Sequence, residues 1–365
     1  MNVEWTYKCL LICCLSFTFV FSLCFFCLKI PAKKTLDSYR IARKIMAFNY
    51  LTIGLFNLIE LLHFSVERDI SFSALITVCV AASQAILFTA TLISLINIKF
   101  ISFRTLFKEF IPVIVLTLIS FASFFLNERQ FFNPIYYLFT LYYLNLLIRY
   151  SITFRKYYRS YQEKMDNFFS VQSSNLLTWV KTAYYVAMSI GIVVLVSLYL
   201  GETFVMLSNV LYIIYFFYFG IHFLNYASIF EEIETAIVSD SKDMIEDKSL
   251  KISFSQLEQA VKEWEMKKSY TESGITIEQV AGEIKTNRTY LSNYLNTYKG
   301  FTFNEWINQL RIEEAKNLLI TNPRLPVSQI GVMIGLPDKS NFGRQFSKMT
   351  GKSPLAWRTN QQKQY

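Results

Sequence analysis

The sequence predicts an all-α chain in two parts: a bundle of seven transmembrane helices, then a cytoplasmic domain built from two helix-turn-helix units. Three observations predict it. Of the 365 residues, 53% are hydrophobic and 17% charged, where a soluble domain holds roughly 45–50% and about 25%. The surplus is one-sided, because residues 1–230 carry 29 of the 34 Phe and all 6 Cys. After residue 250 the chain changes to short amphipathic stretches punctuated by capping and turn residues. This composition excludes a disordered chain, a collagen repeat and a secreted disulfide scaffold.

A hydrocarbon core about 30 Å thick needs roughly 20 apolar helical residues to cross it. Residues 7–28, 46–66, 72–98, 110–126, 134–148, 182–200 and 203–225 meet or approach that length. Asn133-Pro134 reads as the start of the fifth span, where proline forfeits no hydrogen bond. Glu4 beside Lys8, and the lack of a small-x-small site before Lys33, mark the first stretch as retained rather than cleaved. Orientation follows from the basic residues of alternate loops. One side holds 15 Lys and Arg, from Lys29 to Lys181, and the other holds Lys8, Arg68 and Arg129. The N-terminus is therefore expected outside, residues 1–226 form the transmembrane domain, and the rest of the chain is cytoplasmic.

Apart from Lys8 at the margin, the charged side chain within these spans is Glu60. An intramembrane acid must be paired or neutralised, which makes it a functional candidate by default. Asn57, Glu60 and His63 lie on adjacent faces of the second span and Gln84 near the middle of the third. These four are the expected signal-sensing residues. Cys24-x-x-Cys27 has metal-like spacing but sits in an apolar span, where buried small hydrophobes are the simpler reading. One acid and two histidines make a poor inventory for a hydrolase or a proton pump. No enzyme activity, cofactor or metal is expected.

Residues 231–274 carry a net charge of −5 and residues 275–365 a net of +6. Residues 227–252 read as an acidic juxtamembrane helix and linker, repelled by an anionic leaflet, and residues 253–365 as a separate domain. There Phe254, Leu257, Val261 and Trp264 form one apolar stripe. Thr276 with Gln279 has the pattern of a capping box ahead of a helix to Ile284. Lys285-Thr286-Asn287 then turns into a second helix from Arg288 to Asn296. The device repeats: Ser328-Gln329-Ile330-Gly331 opens a helix, Gly335-Leu336-Pro337-Asp338 turns, and another helix runs from Lys339 to Lys348. An amphipathic helix from Phe303 to Ile320 joins them, about 27 Å long at 1.5 Å per residue. Successive major grooves on one face of B-DNA lie about 34 Å apart, so the spacing points to DNA.

Residues from about 254 to 358 resemble the C-terminal DNA-binding domain of the AraC/XylS family of bacterial transcription regulators. The motifs that carry the resemblance are Leu310-Arg311-Ile312-Glu313-Glu314-Ala315-Lys316-Asn317-Leu318-Leu319 and the run from Gly335 to Gly351-Lys352-Ser353-Pro354, with Trp357-Arg358. The resemblance implies that Arg288, Thr289, Ser292 and Asn293 meet DNA in one groove and Lys339, Ser340, Gly343 and Arg344 in the next. Arg344 suits bidentate contact with guanine, while Arg288, Lys299 and Lys348 suit phosphates. It further implies double-stranded promoter DNA and RNA polymerase as partners and action as a homodimer. With the spans added, the expected location is the bacterial cytoplasmic membrane, in contact with the lipid bilayer. The family usually has Ala where Gly331 stands, Phe at Leu336 and a polar residue at Pro337, which implies a less rigid second unit. A rival reading is a transporter or receptor-like membrane protein whose degenerate helix-turn-helix tail contacts only other proteins.

Overall fold

A computed structural model describes residues 3–33, 36–64, 70–97, 103–126, 129–170, 178–226 and 254–362. The expected acidic helix and linker at 227–252 lie outside these residues. Among the described residues the fold is all-helical, with one isolated β-bridge. The chain divides into two compact units: residues 1–161 with 177–234, and residues 162–176 with 235–365.

The first unit contains α1 (Val3–Cys27), α2 (Asp37–Phe64), α3 (Ile70–Ile96), α4 (Phe103–Phe125), α6 (Thr178–Leu200) and α7 (Glu202–Asn225), together with most of α5 (Arg129–Asp166). α3 sits at the centre, packed by α2, α4 and α6. The apolar stretch of α3 is 78% buried, against 11% for α4. Small and hydroxylated side chains such as Ala82, Ser83, Thr91 and Ser94 let its neighbours approach. Large apolar side chains such as Leu118, Leu207 and Ile214 point outward instead. Among the described residues, six helices, α1–α4, α6 and α7, are long and apolar enough to cross a membrane.

α5 differs from expectation at both ends. It begins at Arg129, so Pro134 lies inside the helix, and the turn ahead of it forms despite the missing donor. It also continues through residues 149–166, which the charge pattern assigned to a loop. The cause is a stripe at helical spacing, Tyr150, Phe154, Tyr158, Tyr161 and Met165, which is buried along its whole length. The apolar part, with Tyr136, Phe139, Tyr143, Leu146 and Leu147, packs into the bundle core.

The second unit contains α8 (Phe254–Met266), α9 (Ile277–Glu283), α10 (Arg288–Asn293), α11 (Phe303–Thr321), α12 (Val327–Met333), α13 (Lys339–Thr350) and α14 (Pro354–Gln362). α10 runs on as one π-helical turn, Tyr294–Lys299, and ends at Gly300 with φ 73°. Trp264 and Trp306 rings, 5.2 Å apart, hold α8 against α11. The C-terminal half of α11 forms a core with α12 and α13 through Ile312, Ala315, Leu319, Ile330, Ile334, Phe342 and Phe346.

Candidate functional site

The first unit encloses a cavity of about 110 Å³, lined by α1, α2, α3, α5, α6 and α7. Glu60 is buried there and accepts a hydrogen bond from the Tyr7 hydroxyl at 2.7 Å. Asn57 and Gln84 also line the cavity. Asn57 Nδ2 is spent on the Ile53 carbonyl of its own helix, at 2.8 Å. Gln84 Nε2 and the Tyr212 hydroxyl are buried side by side, neither in a well-formed hydrogen bond. His63 does not join the group: its ring stacks on Phe72 at 3.9 Å and stands away from the cavity lining. The acid's partner is therefore Tyr7, with Asn209 and Ser73 close to the same hydroxyl. Tyr7 was hidden in the sequence because a tyrosine in an apolar run reads as a packing residue.

In the second unit the two helix-turn-helix devices have the same construction. The Thr276 hydroxyl accepts from the Gln279 amide at 3.3 Å, and Gln279 Oε1 accepts from the Thr276 amide at 2.8 Å, completing the capping box. The sharp turn after α9 is made by Lys285 with φ 58°, and that after α12 by Gly335 with φ 78°. Each turn closes with a matching backbone bond, Thr286 N–H to Ala281 at 2.9 Å and Leu336 N–H to Gly331 at 2.8 Å. Each recognition helix is then capped by a side-chain oxygen: Asn287 accepts from the Tyr290 amide, Asp338 from the Asn341 amide.

Counting from these caps, the eight expected DNA-binding residues pair position by position: Arg288 with Lys339, Thr289 with Ser340, Ser292 with Gly343, and Asn293 with Arg344. Lys339, Ser340, Arg344 and Asn293 are exposed, and Thr289, Ser292 and Gly343 are half-buried. Arg288 is the exception. It is 8% exposed, with its guanidinium 4.9 Å from the centre of the Phe168 ring. Phe168 lies just after α5 in the chain, within residues 162–176, which group with this unit. Phe169 forms an antiparallel bridge with Thr276. Two backbone bonds flank it, Ser170 N–H to Ile275 at 3.1 Å and Ile277 N–H to Phe168 at 3.0 Å. An Arg288–phosphate contact is thus not available in this arrangement.

Arg311 stands within the Leu310–Leu319 motif, where its sequence context assigns it no role. The structure does: Arg311 is fully buried, donating from Nε to the Tyr270 carbonyl at 2.7 Å and from Nη2 to the Glu272 carbonyl at 2.6 Å. Nη1 reaches the Ser170 carbonyl at 3.4 Å. Burial pushes its pKa down to about 10, which leaves it charged at neutral pH. Gly335 of the second turn packs on the same cluster, where a Cβ would stand 2.5 Å from the Thr271 carbonyl. Gly331 corrects an expectation. A Cβ there would lie 2.8 Å from the Leu336 carbonyl and 3.2 Å from the Phe342 ring. Glycine here fits a closer approach of α12 to its turn, rather than loosening the unit.

This is the geometry of a double helix-turn-helix DNA-binding domain. The family described as a helix-turn-helix domain matches residues 280–360. The arabinose operon regulatory protein of Escherichia coli (strain K12) is 32% identical over 87 residues, 24% of this chain and 30% of that protein. Histidine kinase P4 of Formosa agariphila is 30% identical over 83 residues, 23% of this chain and 6% of that protein. A solved structure, the C-terminal domain of AraT, a response regulator from Geobacillus stearothermophilus, is 26% identical, covering 30% of this chain and 88% of that one at a TM-score of 0.27. The match to the arabinose regulator thus spans about 30% of that protein's length. The C-terminal domain is of the AraC/XylS type.

Proposed function

We propose that the chain is a membrane-integral transcription regulator. Seven helices cross the bacterial cytoplasmic membrane with the N-terminus outside, and the C-terminal domain binds promoter DNA through both recognition helices. The observation that carries this reading is the joining, in one chain, of an AraC-type domain to a bundle with many large apolar side chains facing outward and with hydroxyls such as Ser83, Thr91 and Ser94 buried inside. Outward apolar faces of that extent need a lipid or protein cover. α5 supplies the seventh span through an aromatic stretch, and an odd number of spans puts the termini on opposite sides, as the charge count requires. That a similar domain occupies 6% of a histidine kinase supports its use as an output attached to other modules. The bundle would receive the signal at the cavity around Glu60, and no catalytic step is assigned. A net charge of +6 over residues 275–365 is modest for DNA binding. We therefore assign action as a homodimer, with RNA polymerase as the downstream partner.

The test is binding of genomic fragments by the full chain in nanodiscs. Affinity should fall steeply with salt, as phosphate contacts release counterions, and Arg344→Ala should cost about 1–3 kcal/mol. Salt-independent binding, or indifference to Arg344→Ala, would count against the reading.

A further inference from the structure

We infer that the bundle cavity is a site for a small organic cation, a protonated amine of up to about five non-hydrogen atoms with an apolar body. This deepens the sensing role proposed above and rests on it for its biological consequence. A buried carboxylate needs a matching cation or a proton. Glu60 is 5% exposed, and no Lys or Arg lines the cavity among the described residues. A volume of about 110 Å³ is a little under the roughly 150 Å³ of an engineered cavity that takes benzene. Away from Glu60 part of the wall is apolar, with Leu10, Val80, Ala85 and Met188 suited to a hydrocarbon body. Gln84 on α3 and Tyr212 on α7 offer polar atoms in no well-formed hydrogen bond for a second group. Tyr7 near the start of α1, Glu60 near the end of α2 and Asn209 near the start of α7 lie at one end of the bundle. The basic-residue count assigns that end to the outside, so the ligand enters from there.

Thermal unfolding of the full chain in nanodiscs, followed with propylamine, propanol and propionate at equal concentrations, tests this. Propylamine should raise the midpoint most and propionate not at all. Glu60→Gln should weaken apparent amine affinity by at least about tenfold, the loss of a charge-assisted bond, with Glu60→Asp retaining part of it. Equal effects of amine and alcohol, no amine effect, or an undiminished effect in Glu60→Gln would each overturn the site. The measurement contains no DNA, so an amine-binding chain that ignores DNA would refute the regulator reading and leave this one standing.

A second inference rests on different residues: the geometry points to residues 167–170 as a built-in cover on the first recognition helix. Phe168 is 5% exposed and sits on Arg288, whose equivalent Lys339 is exposed. Asn304 Nδ2 holds the Phe169 carbonyl at 3.0 Å. Two backbone bonds and a few side-chain contacts are little enough to open locally without unfolding the domain. The first helix therefore alternates between covered and open, while the second carries no such cover among the described residues.

In the full chain, Phe168→Ala should tighten DNA binding about 2- to 30-fold, the range of one partly desolvated cation–π contact. Arg288→Ala alone should change little but should abolish that gain. Because Phe169 and Thr276 form a non-hydrogen-bonded pair, their Cα atoms are close enough for a disulfide. The oxidised form of a Phe169→Cys, Thr276→Cys chain should bind more weakly than its reduced form, with single-cysteine chains as controls. A gain that survives Arg288→Ala, or equal binding by oxidised and reduced forms, would overturn the cover.

Discussion

The two helix-turn-helix units share turn geometry, recognition-helix caps and register, yet they differ in what they leave available. In the first, α10 carries Arg288 under Phe168, and the turn is made by a lysine. In the second, α13 presents Lys339, Ser340 and Arg344 to solvent, and the turn is made by Gly335 packed against Thr271. The capping and turn chemistry fixes where each recognition helix starts. Long-range contacts from elsewhere in the chain decide whether it can be used. Two equivalent helices can thus serve as an unconditional reader and a conditional one.

The comparison breaks most sharply at Arg311, which ties the first unit to the turn of the second. Arg311→Ala should cost about 3–5 kcal/mol, because the carbonyls it serves are left buried and unpaired. Both recognition helices should then lose hydrogen-exchange protection together. Separate losses would show two independent units. Next in size is Gly335→Ala, at about 2–4 kcal/mol, from a left-handed φ combined with a backbone clash. Denaturant unfolding of the full chain, followed by Trp264 and Trp306 fluorescence, measures it. For DNA affinity, Arg344→Ala should cost about 1–3 kcal/mol, while Arg288→Ala should cost under about 0.5 kcal/mol as long as the cover is in place. Titrations of both variants against one fragment decide that point. Lys285→Gly should stabilise by up to about 1 kcal/mol, since glycine adopts its φ of 58° without strain.

The smallest effect concerns pH. Burial, then the nearby Glu305, raises the Asp166 carboxyl above its ordinary value, against a weaker opposing pull from Lys348. A raised pKa means the folded arrangement holds the proton more tightly than the free chain. The cover is then favoured as pH falls and weakens as pH rises through the raised value. Protection of the Ile277 amide, corrected for its intrinsic exchange rate, should follow that direction, and Asp166→Asn should flatten it.

Much of this was legible in the sequence, for local reasons. Thr276 with Gln279, Asn287, Asp338 and Gly335 announce their caps and turns at short range, and the apolar runs announce the bundle helices. The extension of α5 was legible in principle, because Tyr150, Phe154, Tyr158, Tyr161 and Met165 recur at helical spacing. Charge in the same stretch drew the reading toward a loop. The pairing of Phe169 with Thr276, the burial of Arg288 and the bond from Tyr7 to Glu60 have no local signature. Each joins residues more than 50 positions apart, where neither periodicity nor capping chemistry carries information. Gly331 looked like a weakness because helix propensity was visible and the Leu336 carbonyl beside it was not.

The most direct test of the account is chromatin crosslinking of the full-length chain recovered from the membrane fraction. Intact protein, resistant to carbonate extraction, should bring down discrete promoter segments, and Arg344→Ala should lose them. Enrichment found only with a soluble fragment, or no enrichment above background, would contradict it.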